Sequence, residues 1–324
     1  MIEVNGLTKR YGDTVAVDDL SFKVEPGIVT GFLGPNGAGK STTMRLILGL
    51  DRADAGTATI DGQRYEELPA PIQAVGGLLE AKGISGGRSA YNHLLWIAQA
   101  GGIPRDRVDE TIDMVGLREV AGRKVDGFSL GMSQRLGIAT ALLGNPSTLM
   151  LDEPVNGLDP EGIVWIRNLL KRLASEGRTV FVSSHLMSEM EDTADHVLVI
   201  GRGKLLADMS MEEFIQQSGK SQVRVASPDL ARLEGLLQQA GATATSRDDG
   251  AITLVGLDAA RIGEIAASNG IVLHELSPQR ARLEAAFMEM THGSVQYHAG
   301  GDSEVEEQLR ATGARENGRE GDGR

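Results

Sequence analysis

The sequence predicts an α/β fold built on a mainly parallel β-sheet, followed by a smaller α+β unit. Between residues 1 and 218, short apolar runs alternate with amphipathic helical patterns. Runs that are apolar throughout suit strands buried on both faces of a parallel sheet. A polar break at residues 216–221 then precedes a shorter series of strands and helices. These two observations predict one large domain at residues 1–218 and a second one after it.

The strands of the parallel sheet are predicted from four short apolar runs at residues 28–33, 149–151, 179–182 and 197–200. Helices are predicted at residues 41–50, 132–143 and 162–176, where apolar side chains recur at helical spacing. The first 25 residues differ, because residues 2–4 and 16–24 alternate between apolar and polar side chains. Such alternation is typical of half-buried antiparallel strands.

The second unit is predicted to span residues 219–291. Residues 222–226 and 252–255 resemble strands, and an apolar face that begins at Leu230 and ends at Leu237 indicates a helix. A further amphipathic helix is predicted at residues 278–290. From His292 the chain is rich in Gly, Glu and Arg and nearly lacks large apolar side chains, so we predict that residues 292–324 are disordered.

Composition excludes several classes of protein. The chain of 324 residues has no cysteine, which removes disulfides, thiolate zinc sites and cysteine nucleophiles. Its net charge of 32 − 45 = −13 argues against a general nucleic-acid-binding surface. Because neither a run of 18 apolar residues nor a signal-peptide pattern is present, we expect a cytoplasmic chain.

A phosphate-binding loop is predicted between the strand at 28–33 and the helix that follows. Residues 34–41 match G-x-x-x-x-G-K-[ST], a motif that requires this strand–loop–helix context. Glycines allow backbone N–H groups to turn towards phosphate oxygens, and a helix N-terminus adds partial positive charge. Lys40 would contact the outer phosphates, and the Ser41 hydroxyl would ligate Mg²⁺. The nucleotide-binding residues predicted here are Gly34, Pro35, Asn36, Gly37, Ala38, Gly39, Lys40, Ser41 and Thr42.

Three further side chains are predicted to join this loop. The apolar run 149–151 ends in Asp152 and Glu153, and ligands in open α/β sheets bind at the carboxyl ends of strands. Asp152 would hold Mg²⁺, directly or through water, and Glu153 would polarise the water that attacks the γ-phosphate. His185 follows the strand at 179–182 and would lie beside the γ-phosphate.

The order of these motifs resembles the nucleotide-binding subunit of ABC transporters over about residues 1–218. Residues 128–132, Phe-Ser-Leu-Gly-Met, resemble the signature segment, and Asn156-Gly-Leu-Asp159 resembles the D-loop. Residues 183–185 resemble the switch-histidine segment. The resemblance implies a P-loop cassette with a RecA-like core, an antiparallel β subdomain and a helical subdomain.

The resemblance also implies binding partners for the chain and roles for particular residues. Two cassettes, expected to be identical, would pair head to tail around two ATP molecules, and a separate membrane-spanning permease would be required. Tyr11 would stack on adenine, and Ser129 and Gly131 would contact the γ-phosphate of the partner's ATP. Asp159 would face the same interface. The cassette would lie on the inner face of the cell membrane, and no nucleic-acid partner is expected.

Two departures from the family pattern stand out. Leu130 and Met132 replace the usual Gly and Gln of the signature segment, and Glu80 replaces Gln in the Q-loop. These features are similar to cassettes of bacitracin-type peptide-antibiotic exporters, which implies an active ATPase. We expect Glu80 to retain the role of coupling to the permease. Residues 283–291 are similar to the C-terminal extension of drug-export cassettes, with a role in dimer contact or regulation.

Alternative functions remain at this point. A soluble ABC ATPase acting on ribosomes or nucleic acid is disfavoured by the single cassette, the acidic charge and the lack of heptads. A GTPase or kinase is disfavoured because no Asn-Lys-x-Asp segment occurs. A binding module without hydrolysis is disfavoured because the presumed catalytic residues are present.

Overall fold

A computed structural model describes residues 1–79, 84, 86–218, 222–248, 250–279 and 287. The strands are β1 (Ile2–Tyr11), β2 (Thr14–Val24), β3 (Val29–Leu33), β4 (Ala55–Ile60), β5 (Val75–Leu78), β6 (Thr148–Asp152), β7 (Thr179–Ser184), β8 (His196–Gly201), β9 (Lys204–Ser210), β10 (Gln222–Ala226), β11 (Thr243–Asp248), β12 (Ala251–Val255) and β13 (Glu275–Gln279). The helices are α1 (Lys40–Ile47), α2 (Pro71–Ala74), α3 (Ala90–Ala100), α4 (Asp106–Met114), α5 (Leu130–Leu142), α6 (Pro160–Ser175), α7 (Met187–Glu191), α8 (Met211–Ser218), α9 (Leu230–Gln239) and α10 (Ala259–Ser268).

The central sheet has six strands in the order β5-β6-β7-β3-β8-β9. Its first five strands are parallel, and β9 pairs with β8 in the antiparallel direction. Every residue of β3, β6 and β7 is buried, which explains why these strands appear in the sequence as continuous apolar runs. The predicted α/β class and its parallel sheet are therefore confirmed.

An antiparallel sheet in the order β2-β1-β4 packs against this central sheet. The rings of Phe22, Phe32 and Phe181 join the two sheets, with centroids 5.2 to 5.7 Å apart. The alternation in the first 25 residues thus corresponds to an antiparallel pair, as expected. This packing places Ala16 of β2 beside Gly39, directly before the chain's first helix.

A helical group formed by α3, α4 and α5 contributes to a second core on the other side of the central sheet. Fully buried side chains from all three helices, including Leu94, Val108 and Leu136, lie in that core. Phe287, far along the chain, is also buried in it. In the part of the chain that the structure describes, no helix is long and apolar enough to cross a membrane.

The C-terminal strands form a separate sheet in the order β11-β12-β10-β13, with α9 and α10 contributing to its own core. The prediction that a helix starts at Pro278 is wrong, because Pro278 lies in β13 and pairs with Val223 of β10. β13 is an edge strand of the described sheet, where a proline without an N–H is tolerated. Gln279 also lies in β13, and among residues 280–324 the structure describes Phe287 alone, so the rest of the predicted helix and the tail at 292–324 stay predictions.

The polar break predicted to begin at residue 216 is also misplaced. Helix α8 continues to Ser218, because Phe214 is fully buried and anchors its apolar face. Residues 219–221 lie outside the described residues. The domain division at residue 219 therefore stays a prediction.

Candidate active site

The loop at residues 34–39 connects the buried end of β3 to α1. Gly37 and Gly39 have positive φ angles of 79° and 109°. A Cβ atom on Gly39 would lie 2.4 Å from the carbonyl oxygen of Ala16, and one on Gly34 would lie 2.6 Å from that of Ile200. Only glycine fits these two positions, so the loop backbone is held close against its neighbours at the start of α1.

Lys40 is the first residue of α1 and is only 6% exposed. Its Nζ donates to the carbonyl oxygen of Gly34 at 2.6 Å and lies 3.6 Å from Oε1 of Glu153. Burial lowers the pKa of Lys40, although Glu153 and Asp152 oppose this shift. The ammonium group therefore sits inside the loop, where the negative charge of a phosphate would favour its charged form.

Ser41 and Asp152 approach each other at the end of β6. The Ser41 hydroxyl donates to Oδ2 of Asp152 at 2.5 Å, and the Ser183 hydroxyl donates to Oδ1. A hydroxyl and a carboxylate so arranged form an all-oxygen set of the kind that Mg²⁺ prefers. The residues present therefore fit a Mg²⁺ site, and the role of Ser41 and Asp152 as its ligands stays a prediction.

Glu153 follows Asp152 with a φ of 48°, a left-handed conformation that is uncommon for a residue other than glycine. Its N–H donates to the hydroxyl of Ser183 at 2.9 Å. Its carboxylate contacts Nδ1 of His185 at 2.9 Å and faces Lys40. The unusual backbone conformation thus points this carboxylate back towards the phosphate-binding loop.

A second acid, Glu189, supports the His185 segment from α7. The Ser184 hydroxyl donates to Oε2 of Glu189 at 2.9 Å and accepts from the N–H of Leu186 at 3.0 Å. Burial raises the pKa of Glu189 and the nearby Glu153 carboxylate adds to the increase, while the Ser184 hydrogen bond and His185 oppose it. Sequence reasoning missed Glu189, because nothing in the spacing of 184 and 189 distinguishes this contact from an ordinary helix start.

Tyr11 ends β1 with its ring half exposed, at 49%. Its hydroxyl donates to Oδ2 of Asp51 at 3.0 Å, and the guanidinium of Arg45 binds the same carboxylate through two nitrogens. Arg45 belongs to α1, the helix that begins at the phosphate-binding loop. Tyr11 is therefore fixed relative to that loop through Asp51, a link that the sequence analysis did not predict.

The signature segment forms the start of α5. We expected Ser129 and Gly131 to precede the helix, but α5 begins at Leu130, because the Ser129 hydroxyl accepts from the N–H of Met132 at 3.2 Å and caps it. Gly131 lies in the first turn, where a Cβ would be 2.9 Å from the carbonyl oxygen of Gly157.

Asp159 caps α6 in the same way, since its carboxylate accepts from the N–H of Gly162 at 2.8 Å. The structure thus brings the phosphate-binding loop, Asp152, Glu153 and His185 together, whereas Ser129 and Asp159 contact the first turns of their own helices. Glu80 lies outside the described residues.

A buried parallel strand, a glycine-rich loop and a helix, joined by two carboxylates at the end of β6 in the same sheet, define a P-loop nucleotide-hydrolysing enzyme. A sequence model described as "ABC transporter" matches residues 17–156, and one for a domain of unknown function matches residues 221–284.

Two curated relatives illustrate the similarity. The chain is 42% identical to the bacitracin transport ATP-binding protein BcrA of Bacillus licheniformis, over 68% of this chain and 73% of that protein. It is 37% identical to the uncharacterized ABC transporter ATP-binding protein YhcH of Bacillus subtilis, over 90% of this chain and 96% of that protein.

Two solved structures show the same fold. A dimeric bacterial ABC transporter cassette is 25% identical, with a TM-score of 0.61 over 65% of this chain and 99% of that one. Its dimeric post-hydrolysis state, bound to ADP and phosphate, is 25% identical with a TM-score of 0.59 over the same shares. The chain belongs to the ABC transporter family, as an ATP-binding subunit with ATPase activity. The expected family is thereby confirmed.

Proposed function

We propose that two copies of this chain pair head to tail around two ATP molecules and drive export through a separate permease. The observation that carries the catalytic part is the convergence of charged groups at the ends of β3, β6 and β7. Glu153 contacts His185 at 2.9 Å and Lys40 at 3.6 Å. Asp152 contacts the Ser41 hydroxyl at 2.5 Å.

Each residue has a distinct role in the proposed hydrolysis. The N–H groups of the phosphate-binding loop and the Lys40 ammonium bind the phosphates of ATP. Glu153 accepts a proton from the attacking water, and His185 holds the Glu153 carboxylate in place. Mg²⁺, held by Ser41 and Asp152, would neutralise charge on the outer phosphates.

The remaining predicted contacts come from the partner cassette. Ser129, Gly131 and Asp159 lie at the first turns of α5 and α6, and a helix N-terminus favours an anionic group such as the γ-phosphate. Dimeric cassettes of similar fold support this pairing.

Two residues have roles outside the dimer contact: Tyr11 stacks on adenine, and Glu80 couples hydrolysis to the permease.

Export of an amphiphilic peptide antibiotic is the narrower part of the proposal. Relatives named for bacitracin transport and for lantibiotic transport support it, at 42% and 35% identity. The chain would then act at the inner face of the cell membrane, bound to its permease. Cells that depend on this chain for protection are expected to lose resistance to such a peptide when Glu153→Gln replaces the native chain. Unchanged susceptibility would contradict the cargo class.

The pairing and the role of Glu153 are tested together by light scattering on the purified chain. Glu153→Gln is expected to remove hydrolysis and to form a dimer only with ATP, whereas the wild type returns to monomer as ATP is consumed. Omitting Mg²⁺ tests the Ser41–Asp152 site. Glu110→Gln, which changes an exposed helix glutamate paired with Arg107, is the matched control and should behave as wild type. Hydrolysis by Glu153→Gln at the wild-type rate would refute the role of Glu153.

A further inference from the structure

Gln134 links the signature helix to the backbone of Glu153. It lies in the second turn of α5 and is only 5% exposed. Its Nε2 donates a hydrogen bond to the carbonyl oxygen of Glu153 at 3.2 Å. A buried amide is rarely placed where a hydrophobic side chain would suffice unless its hydrogen bond matters, because desolvating it is costly.

Both backbone polar groups of Glu153, its N–H and its carbonyl oxygen, are hydrogen-bonded. Its N–H donates to Ser183 of β7, and its carbonyl oxygen also accepts from the N–H of Asn156 at 3.2 Å. Ser183 also bonds to Asp152 in the same site, and Asn156 is only three residues further along the chain. Gln134 is different, because it comes from the helix whose N-terminus carries Ser129 and Gly131. The left-handed φ of 48° is therefore maintained partly from outside the site.

Two more contacts fasten α5 to the segment that follows Glu153. The Leu130 side chain lies over Gly157, whose added Cβ would be 2.4 Å from it. The guanidinium of Arg135 lies 4.5 Å from the ring centroid of Trp165 on α6. Packed contacts therefore connect α5 to residues 153–165.

We propose that Gln134 is a positioning residue that couples the two nucleotide sites of the dimer. This inference rests on the proposed head-to-tail pairing, in which the start of α5 faces the ATP of the partner cassette. When ATP of the partner cassette binds the N-terminus of α5, the helix moves, and Gln134 moves the Glu153 carbonyl group with it. The position of the Glu153 carboxylate relative to Lys40 and His185 therefore depends on whether the partner site is occupied. Each site thereby responds to the occupancy of the other.

The test compares Gln134→Met, which keeps the length but removes the donor, with the wild type. Because one net hydrogen bond is lost while Asn156 still serves the carbonyl, kcat is expected to fall about fivefold. The dissociation constant of ATP should stay at the wild-type value, the Tm should fall by only about 2–4 °C, and the Hill coefficient for ATP should fall towards one. Thr140→Val is the matched control, since Thr140 is on α5 and its hydroxyl bonds to Leu136 and His93 instead.

Several results would overturn the proposal. Wild-type kcat and cooperativity in Gln134→Met would show that the bond has no role in the reaction, and a non-cooperative wild type would remove the coupling. Gln134→Glu is a second variant, which keeps the shape but replaces the donor by an acceptor. Loss of the fold in both variants would assign Gln134 to stability alone. Normal hydrolysis by Glu153→Gln would instead contradict the proposed function, so the two failures are distinguishable.

Discussion

Replacing Tyr11 tests whether this residue is the platform for adenine. Its ring is half exposed, with the Lys9 ammonium 5.3 Å from its centroid, and it is fixed relative to α1 through Asp51 and Arg45. Stacking of a base on an aromatic ring contributes about 1–3 kcal/mol. Tyr11→Ala is therefore expected to raise the KM for ATP about thirtyfold, which corresponds to about 2 kcal/mol. The value of kcat should not change, because the base is bound equally before and during hydrolysis.

The Tyr11 hydroxyl is expected to contribute less to ATP binding than the ring does. Removing it alone therefore distinguishes stacking on the ring from the hydrogen bond that holds the ring in place. Its hydrogen bond to the Asp51 carboxylate is charge-assisted, but both groups are near the surface, so we discount it to about 0.7 kcal/mol. Tyr11→Phe should then raise KM about threefold by letting the ring move. Asp51→Asn, which weakens the same contact, should have a similar effect.

Steady-state ATP titrations measure both parameters. Tyr91→Phe is the control, because the hydroxyl of Tyr91 also has a partner, Nε of Arg105 at 2.8 Å, but lies in the helical group. An unchanged KM in Tyr11→Ala would refute adenine stacking. A fall in kcat at constant KM would place Tyr11 in the chemistry instead.

Two further predictions concern stability. Gly39→Ala should lower the free energy of unfolding by about 2–4 kcal/mol in urea denaturation, because the new Cβ meets the Ala16 carbonyl at 2.4 Å and φ is 109°. Gly27→Ala shares a positive φ of 87° but meets nothing within 4 Å, so it should cost clearly less, and equal losses would refute the role of close approach. Glu189→Gln should raise the Tm at neutral and alkaline pH, because burial raises the pKa of Glu189 in the folded protein and its ionisation is then unfavourable to folding. The stabilisation relative to wild type should appear as pH rises through the ordinary pKa of a glutamate, and a Tm difference independent of pH would contradict it. Glu153 and His185 are the titratable groups that act on the pKa of Glu189 in opposite directions, and the same scans on Glu153→Gln show how much of the effect Glu153 causes.

The parts of the site that the sequence predicted are those in which chemistry follows from local spacing. The loop at 34–41 carries its glycines, lysine and serine within eight residues, and the flanking strand and helix have unambiguous patterns. Asp152 is the last residue of one buried parallel strand and His185 follows the next one, and the carboxyl ends of such strands meet at one edge of the sheet. Convergence of the predicted residues there follows from the sheet topology.

Contacts between residues that are far apart along the chain could not be predicted from the sequence. The bonds from Gln134 to Glu153 and from Tyr11 to Asp51 join residues 19 and 40 positions apart. They depend on how helices and loops pack, which a hydrophobic pattern does not specify. The segment from Pro278 shows the same limitation, because its apolar spacing suits a helix while pairing with β10 makes its start a strand.

The departures in the signature segment illustrate how packing changes the interpretation of a motif. In the sequence, Leu130 and Met132 differ from the family pattern and raise the question of whether phosphate contact is preserved. In the structure, Leu130 packs over Gly157, and the partly buried Met132 packs against the core. Ser129 remains the cap of α5 and is not displaced by either side chain. Both side chains therefore make contacts at the start of α5, although Leu130 stays 52% exposed, and the contact of Ser129 and Gly131 with a partner's phosphate stays a prediction.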